Sequence, residues 1–434
     1  MNVAVAKTGS GRAVSDLFAS AEGRLPGSPD VIAARREAFE SYERLGLPHR
    51  RIEEWKYTDL RALVGEVLPL AAAPDAAALK RAAEAVNAHG IAGACKLVLV
   101  DGVFAAELSD VKALASEVSL TTLREALEKD AGLLKTVSTD AVIALNAALA
   151  TDGVVLSIAD GAQLSAPVQI IHVATAAAAS AFTRSQVKVG KGARATIIES
   201  FVAAGARTYQ VNDAVLVTVG DDADVAHIRL MDDAPDAVNI TSQFVTVGAN
   251  TKLNFFNMTI GAAVSRLQGF ITLAGEGSEL SINGVNLLQK TEHGDTTLVV
   301  DHAVPNCVSR EIFRAVVDDR AHSVFQGRII VRPDAQKTDG KMMTRALLLS
   351  DEAEADNKPE LEIFADDVSC GHGATAGALD DTLLFYLKAR GLPEKQAQAL
   401  LIQAFVGEAI EQIADDGLRE HVIGMAERWL ERRS

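Results

Sequence analysis

Cysteine is scarce. The 434 residues contain three, Cys95, Cys307 and Cys370, too few and too far apart for a disulfide framework or a CxxC pair. Aromatic residues make up only 5%, which argues against a core built around large rings and for regular layers of small and β-branched side chains. Basic residues are outnumbered, 42 Lys plus Arg against 58 Asp plus Glu, leaving a formal net charge of -16. Such a surface opposes the phosphate neutralisation that nucleic-acid binding requires, so no nucleic-acid partner is expected. The first twenty residues hold no apolar stretch fit for a signal-peptide core. The longest weakly polar run, residues 167–182, is broken by Gln169, His172, Thr175 and Ser180 and falls short of the roughly 20 residues that span a bilayer. A cytoplasmic chain with no membrane partner is expected. There is no GxxxxGK[ST] phosphate loop, no GxGxxG after a strand, no GxSxG elbow and no HExxH. Nucleotide hydrolysis by this chain alone is therefore not expected.

With 48% hydrophobic and 23% charged residues, the chain can bury a sizeable core. Its length suits two or three domains or one elongated repeat. Residues 1–95 read as a helical region: Ser28, Pro29 and Asp30 open a helix that runs to about residue 45, where Gly46, Leu47 and Pro48 stop it. Residues 96–150 read as a mixed α/β connector beginning with the strand-like KLVLVD.

From about residue 151 the pattern changes to short β-rich runs. Gly190, Gly220, Gly248 and Gly275 each follow an apolar-polar-apolar triplet and are spaced by 30, 28 and 27 residues. A period near 28 with two or three short strands per unit is that of a parallel β-solenoid, each coil burying its inward side chains against its neighbours. The strict six-residue repeat of a left-handed helix is absent, which favours a right-handed coil. The expected fold is thus mainly β: a right-handed parallel β-helix over residues 151–375, its turn spacing tightening toward the end, flanked by helical regions. Residues 376–434 read as helices with apolar faces at Leu383, Leu384 and Leu387 and at Leu400, Leu401, Phe405, Ile410 and Ile413. These helices are suited to cap the open end of the solenoid or to dock a partner.

Cys95 and Cys307 lack a nearby second thiol and are expected to be buried. Cys370 stands in CGHGAT, two residues before His372, so on an extended segment both point to one side, and the flanking glycines permit close approach of a chain or ion. Thiolate and imidazole suit zinc, copper or an iron–sulfur centre. Two ligands do not complete a site, and spacing alone equally fits a structural turn with an incidental histidine. His172, His227, His293, His302 and His322 lie in strand or turn patterns and read as packed or surface residues. Ten acids between Asp351 and Asp381, against Lys358, read as a solvated face.

Several ordered blocks carry a resemblance: residues 325–339 (FQGRIIVRPDAQKTD), 347–351 (LLLSD), 358–363 (KPELEI), 366–375 (DDVSCGHGAT) and 384–392 (LFYLKARGL), spread over about 70 residues. Together they resemble the SufB/SufD family of iron–sulfur cluster assembly proteins. Residues 51–60 (RIEEWKYTDL) are similar to a segment of the SufD branch. SufB-type scaffolds carry a cysteine just before the Leu-Leu run, where this chain has Met343, Thr344, Arg345 and Ala346.

The resemblance implies a β-solenoid that pairs with a SufB-like scaffold as a heterodimer, and C-terminal helices that dock a SufC-like ABC ATPase. It implies a non-catalytic assembly subunit, with ATP hydrolysis in the partner. It places His372 at the SufB interface as a ligand of iron or of a nascent iron–sulfur cluster shared with SufB, with Cys370 in support, and expects no tightly bound cofactor in the isolated chain. A homodimer is expected when SufB is absent. The competing reading is a scaffold that only stabilises SufB and positions SufC. A polysaccharide lyase or hydrolase on the same fold would need paired carboxylates in a groove and usually export.

Overall fold

The computed structural model describes residues 9–135 and 140–433. The first eight residues of the segment inspected for a signal core, and 136–139 of the expected connector, lie outside the described residues. Among the described residues, no helix is long and apolar enough to cross a membrane.

The N-terminal part carries helices α1 (Gly9–Ala21), α2 (Pro29–Leu45), the short α3 (Leu60–Leu63), α4 (Ala76–His89), the short α5 (Leu123–Ala126) and α6 (Ala141–Leu149). Pro29 opens α2 as its spacing predicts, although Ser28 caps it without a side-chain hydrogen bond. Helix α6 is buried on every side.

Two long sheets form the core, one of ten strands and one of nine, with successive strands from Val154–Ile158 onward alternating between them. From Val168–Ala174 onward all strand pairs in both sheets are parallel. Each coil thus gives one strand to each sheet, and the fold is a parallel β-solenoid. Register is strict because like residues stack between coils: Val187, Val217, Val245, Ile271, Val300 and Ile329 form one inward column of the nine-stranded sheet, and all are buried.

The marker glycines sit at one corner of the coil. A Cβ on Gly220 would lie 2.8 Å from the Lys191 nitrogen, on Gly248 2.7 Å from that of Asp221 and on Gly275 2.0 Å from that of Ala249. Corners stack here backbone on backbone, which leaves no room for a side chain. The turn spacing expected to tighten near the end does not do so: Asp339–Leu348 and Ser369–Gly377 pair Asp339 with Ser369, 30 residues on. The later sequence echoes mark both corners of each coil rather than one.

At the C-terminus, α7 (Asp381–Ala389), α8 (Glu394–Ile410) and α9 (Asp416–Arg432) follow the last strand. Helices α8 and α9 do not cap the open end. Ile402, Val406, Ala409, Val422 and Trp429 pack against Ile228, Phe256, Met258, Val285 and Val316 on the outer face of the ten-stranded sheet. The buried stripe of α8 runs through Ala397, Ile402, Val406, Ala409 and Ile410; Ile410 and Ile413 are buried as expected, whereas Leu400 and Leu401 are not. Small residues in that stripe let the helix approach the sheet closely, and Leu400 is left 47% exposed.

The two ends of the solenoid differ. At the N-terminal end the outermost strands Val103–Phe104 and Val118–Thr122 pair antiparallel with their neighbours. At the C-terminal end Glu354–Ile363 and Ser369–Gly377 are the last strands of their sheets. Their outer edges offer unpaired backbone groups, a ready template for another chain.

Candidate functional site at the last coil

His372 and Cys370 lie on Ser369–Gly377, the outermost strand of the ten-stranded sheet. Their positions follow from register. Ile197, His227, Phe255, Ile282, Glu311, Met342 and His372 occupy successive rungs of one column. That column faces the solenoid interior, where Ile197, Phe255, Ile282 and Met342 are buried. His372 is therefore the rung where the interior column emerges, exposed because no further coil covers it. Cys370, paired with Gly340 in the next column, is half-buried against the same core. The strand does bring thiol and imidazole to one side, yet only the imidazole is presented outward.

The His372 ring has no hydrogen-bond partner among the described residues. Metal-bound histidines normally anchor their second ring nitrogen to a carboxylate, carbonyl or water. An open cavity of about 530 Å³ adjoins the ring, lined also by Arg310, Glu311, Lys341, Gly371 and Gly373. Arg310 Nη2 donates to Asp339 at 2.5 Å and Lys341 Nζ to Ser369 Oγ at 2.9 Å. Both cations pair with Asp339, Lys341 Nζ lying 3.7 Å from Oδ1. Gly373 is confined, since a Cβ there would meet Met343 Cε at 2.6 Å, whereas Gly371 has space.

Glu311 escaped the sequence reading. It lies two rungs from His372, is 1% exposed, and neither carboxylate oxygen has a hydrogen-bond partner among the described residues. Burial pushes its pKa up to about 8. Its position in an alternating strand looks like a solvent-facing one, and only the register shows that both faces are covered.

The remaining sequence candidates sort clearly. Cys95 and Cys307 are buried free thiols whose pKa values burial raises. Four of the acids on and near the penultimate strand are paired: His322 Nε2 meets Asp356 at 2.8 Å, Arg328 reaches Glu360 and Glu362 at 3.4 Å each, and Lys358 Nζ lies 2.5 Å from Glu53. His172, His227, His293 and His302 are buried. The RIEEWKYTDL segment is a strap. Trp55 Nε1 donates to Asp140 at 2.7 Å, the Arg266 guanidinium lies 3.9 Å from the indole centre, and Thr58 meets His293 at 2.9 Å while also bonding Asp295.

The last coil of a parallel β-solenoid thus presents an exposed imidazole on an open strand edge, and sequence comparison shows the family that carries this fold. The description "SUF system FeS cluster assembly, SufBD core domain" matches residues 172–405, and "SufBD protein N-terminal region" matches 11–170. The chain belongs to the SufB/SufD family of iron–sulfur cluster assembly proteins. It is 32% identical over 385 residues to the iron–sulfur cluster assembly protein SufD of Escherichia coli, covering 88% of each chain. It is 31% identical over 405 residues to a SufBD family protein of Synechocystis, covering 88% of this chain and 87% of that one. With the SufD of Bacillus subtilis it shares 28% over 307 residues, 66% of each. It is a SufD-like assembly protein of the SUF system.

Proposed function

We propose that this chain is a non-catalytic cytoplasmic subunit that pairs with a SufB-like scaffold through its last coil and docks a SufC-like ABC ATPase on its C-terminal helices. His372 holds iron or the nascent cluster across that seam, and Cys370 packs behind it in support. The observation that carries this reading is the emergence of the interior column at His372, on an unpaired strand edge, with the ring free. A shared site built from two chains can release its cargo when the seam moves, and ATP binding to the docked partner supplies such motion. Helix α7 suits the docking role: none of its residues is buried, and Leu383, Phe385 and Tyr386 are 51%, 73% and 53% exposed. Without SufB, the same edges pair two copies of this chain, which sedimentation of the isolated protein reads as a dimer.

The test is anaerobic co-purification with the SufB-like and SufC-like partners, comparing wild type with His372→Ala. Loss of the cluster's visible absorption at unchanged subunit stoichiometry supports the ligand role. Unchanged absorption supports the second reading, a scaffold that only stabilises SufB and positions SufC. Failure of the wild-type chain to co-purify overturns the pairing itself.

A further inference from the structure

A second polar cluster lies far from the last coil, inside the solenoid. His172 on Val168–Ala174, Glu199 on Arg194–Ala203 and Asp213 on Tyr209–Val219 face one another across adjacent coils of the two sheets. One donor atom from each lies within 4.8 Å of the others. The three are 8%, 0% and 0% exposed. His172 Nε2, Glu199 Oε2 and Asp213 Oδ2 are all buried with no hydrogen-bond partner among the described residues. Other buried polar atoms also lack partners, the Glu311 carboxylate among them, but among the described residues only here do an imidazole and two carboxylates that each hold an unpartnered atom come together.

We propose that His172, Glu199 and Asp213 form a binding site for one divalent first-row transition ion, such as ferrous iron, manganese or zinc. One imidazole and two carboxylates are a donor set that such ions accept and softer ions do not. Three donors about 2.1 Å from one ion stand about 3–3.6 Å apart, so the side chains must draw together from separations of up to 4.8 Å to close the set. The surroundings hold the ligands in place. Gln243 donates to Glu199 Oε1 at 2.9 Å and His227 bonds the same oxygen. Thr183 donates to Asp213 Oδ1 at 2.5 Å, and the His172 ring stacks on Phe201 at 4.4 Å between centroids. These contacts leave the second oxygen of each carboxylate for the ion and give both carboxylates outer-shell partners.

The Arg229 guanidinium, which donates to Asn257, Asn239 and Thr241, faces Glu199 and Asp213 as well as buried Asp233, so the two proposed ligands share their charge between this cation and the ion. A cavity of about 30 Å³ adjoins His172 and Thr183, room for a water beside the imidazole.

The experiment uses the full chain with His372→Ala and Cys370→Ala, so that the exposed edge contributes no ligand and failure here says nothing about that edge. Anaerobic titration with Co²⁺ is followed by its visible d–d bands and by metal analysis after gel filtration. The expected result is one retained Co²⁺ per chain, with Asp213→Asn and His172→Gln each weakening binding at least about tenfold, the loss that even an outer-shell change produces. Thermal unfolding rises with Co²⁺ in the parent and not in the variants. No retained Co²⁺, or equal retention by the parent and both variants, overturns the proposal. Circular dichroism identifies a misfolded variant, and the other then decides.

Discussion

Arg266 and Trp55 are joined face to face: the guanidinium stands 3.9 Å from the indole centre and also ion-pairs with Asp295, both charges being fully buried. The pair fastens the N-terminal strap to the outer face of the nine-stranded sheet. Removing the guanidinium leaves a buried carboxylate uncompensated, a loss of about 3–5 kcal/mol. Arg266→Ala is therefore expected to lower the denaturant midpoint sharply. Arg266→Lys is expected to recover only part of it, because an ammonium lacks the planar face that stacks on Trp55. Equal stability of Arg266→Ala and wild type in urea unfolding contradicts this account.

The corner glycines separate sterics from backbone strain. Gly248→Ala puts a Cβ 2.7 Å from the Asp221 nitrogen and is expected to cost about 1–3 kcal/mol as overpacking. Gly192 has open space but a φ of +65°, so Gly192→Ala is expected to cost about 1 kcal/mol through strain alone. The next coils carry Asp222 and Asn250 at the equivalent place with φ of 57° and 51°. Gly192→Asn is accordingly expected to be milder than Gly192→Ala, as thermal melts of the three variants measure.

This contrast explains what was legible in the sequence. Glycines recur at the corners of four successive coils because those corners stack backbone on backbone, so the period and the solenoid could be read directly. The CGHGAT block could be read as a strand placing Cys370 and His372 on one side, but not as the rung where an interior column surfaces, which depends on seven coils of register. Interior polar groups were hidden for a related reason. Glu199, Arg229 and Asp213 alternate with apolar residues as a solvent face would, and alternation cannot distinguish water from a covered second face. The α8 stripe was legible at Ile410 and Ile413, which are buried, but not at its start, because Leu400 and Leu401 outweigh Ala397 and Ala409 on any hydrophobic count, whereas close packing on the sheet favours the small residues.

Glu311 makes stability depend on pH in an unusual direction. Its folded pKa of about 8 lies above the ordinary glutamate value of 4.5, so between these values the folded state holds a proton that the unfolded state has released. Its contribution is thus fully present below about pH 4.5 and is lost as pH rises through about 8, at up to about 1.4 kcal/mol per unit. Glu311→Gln removes the titration while keeping the shape. The variant is expected to match wild type near pH 5 and to melt higher than wild type at pH 8. A wild-type-minus-variant difference that does not change with pH rules out a buried, protonated Glu311.

Phe385 tests the helical end. Its ring is 73% exposed on α7, a helix that buries none of its residues, so the folded monomer gains little from it. Surface substitutions of this kind change stability by about 0.5 kcal/mol or less. At a docking face the same change costs far more, because aromatic anchors dominate interface energetics and a carboxylate in their place must be desolvated without a partner. Phe385→Asp is expected to leave the melting temperature unchanged and to weaken co-purification of the SufC-like ATPase at least tenfold, with SufB-like pairing at the last coil unaffected. Tyr386→Ala, on the same exposed helix, should act in the same direction. Retention of the ATPase by both variants would place its docking surface elsewhere on the chain.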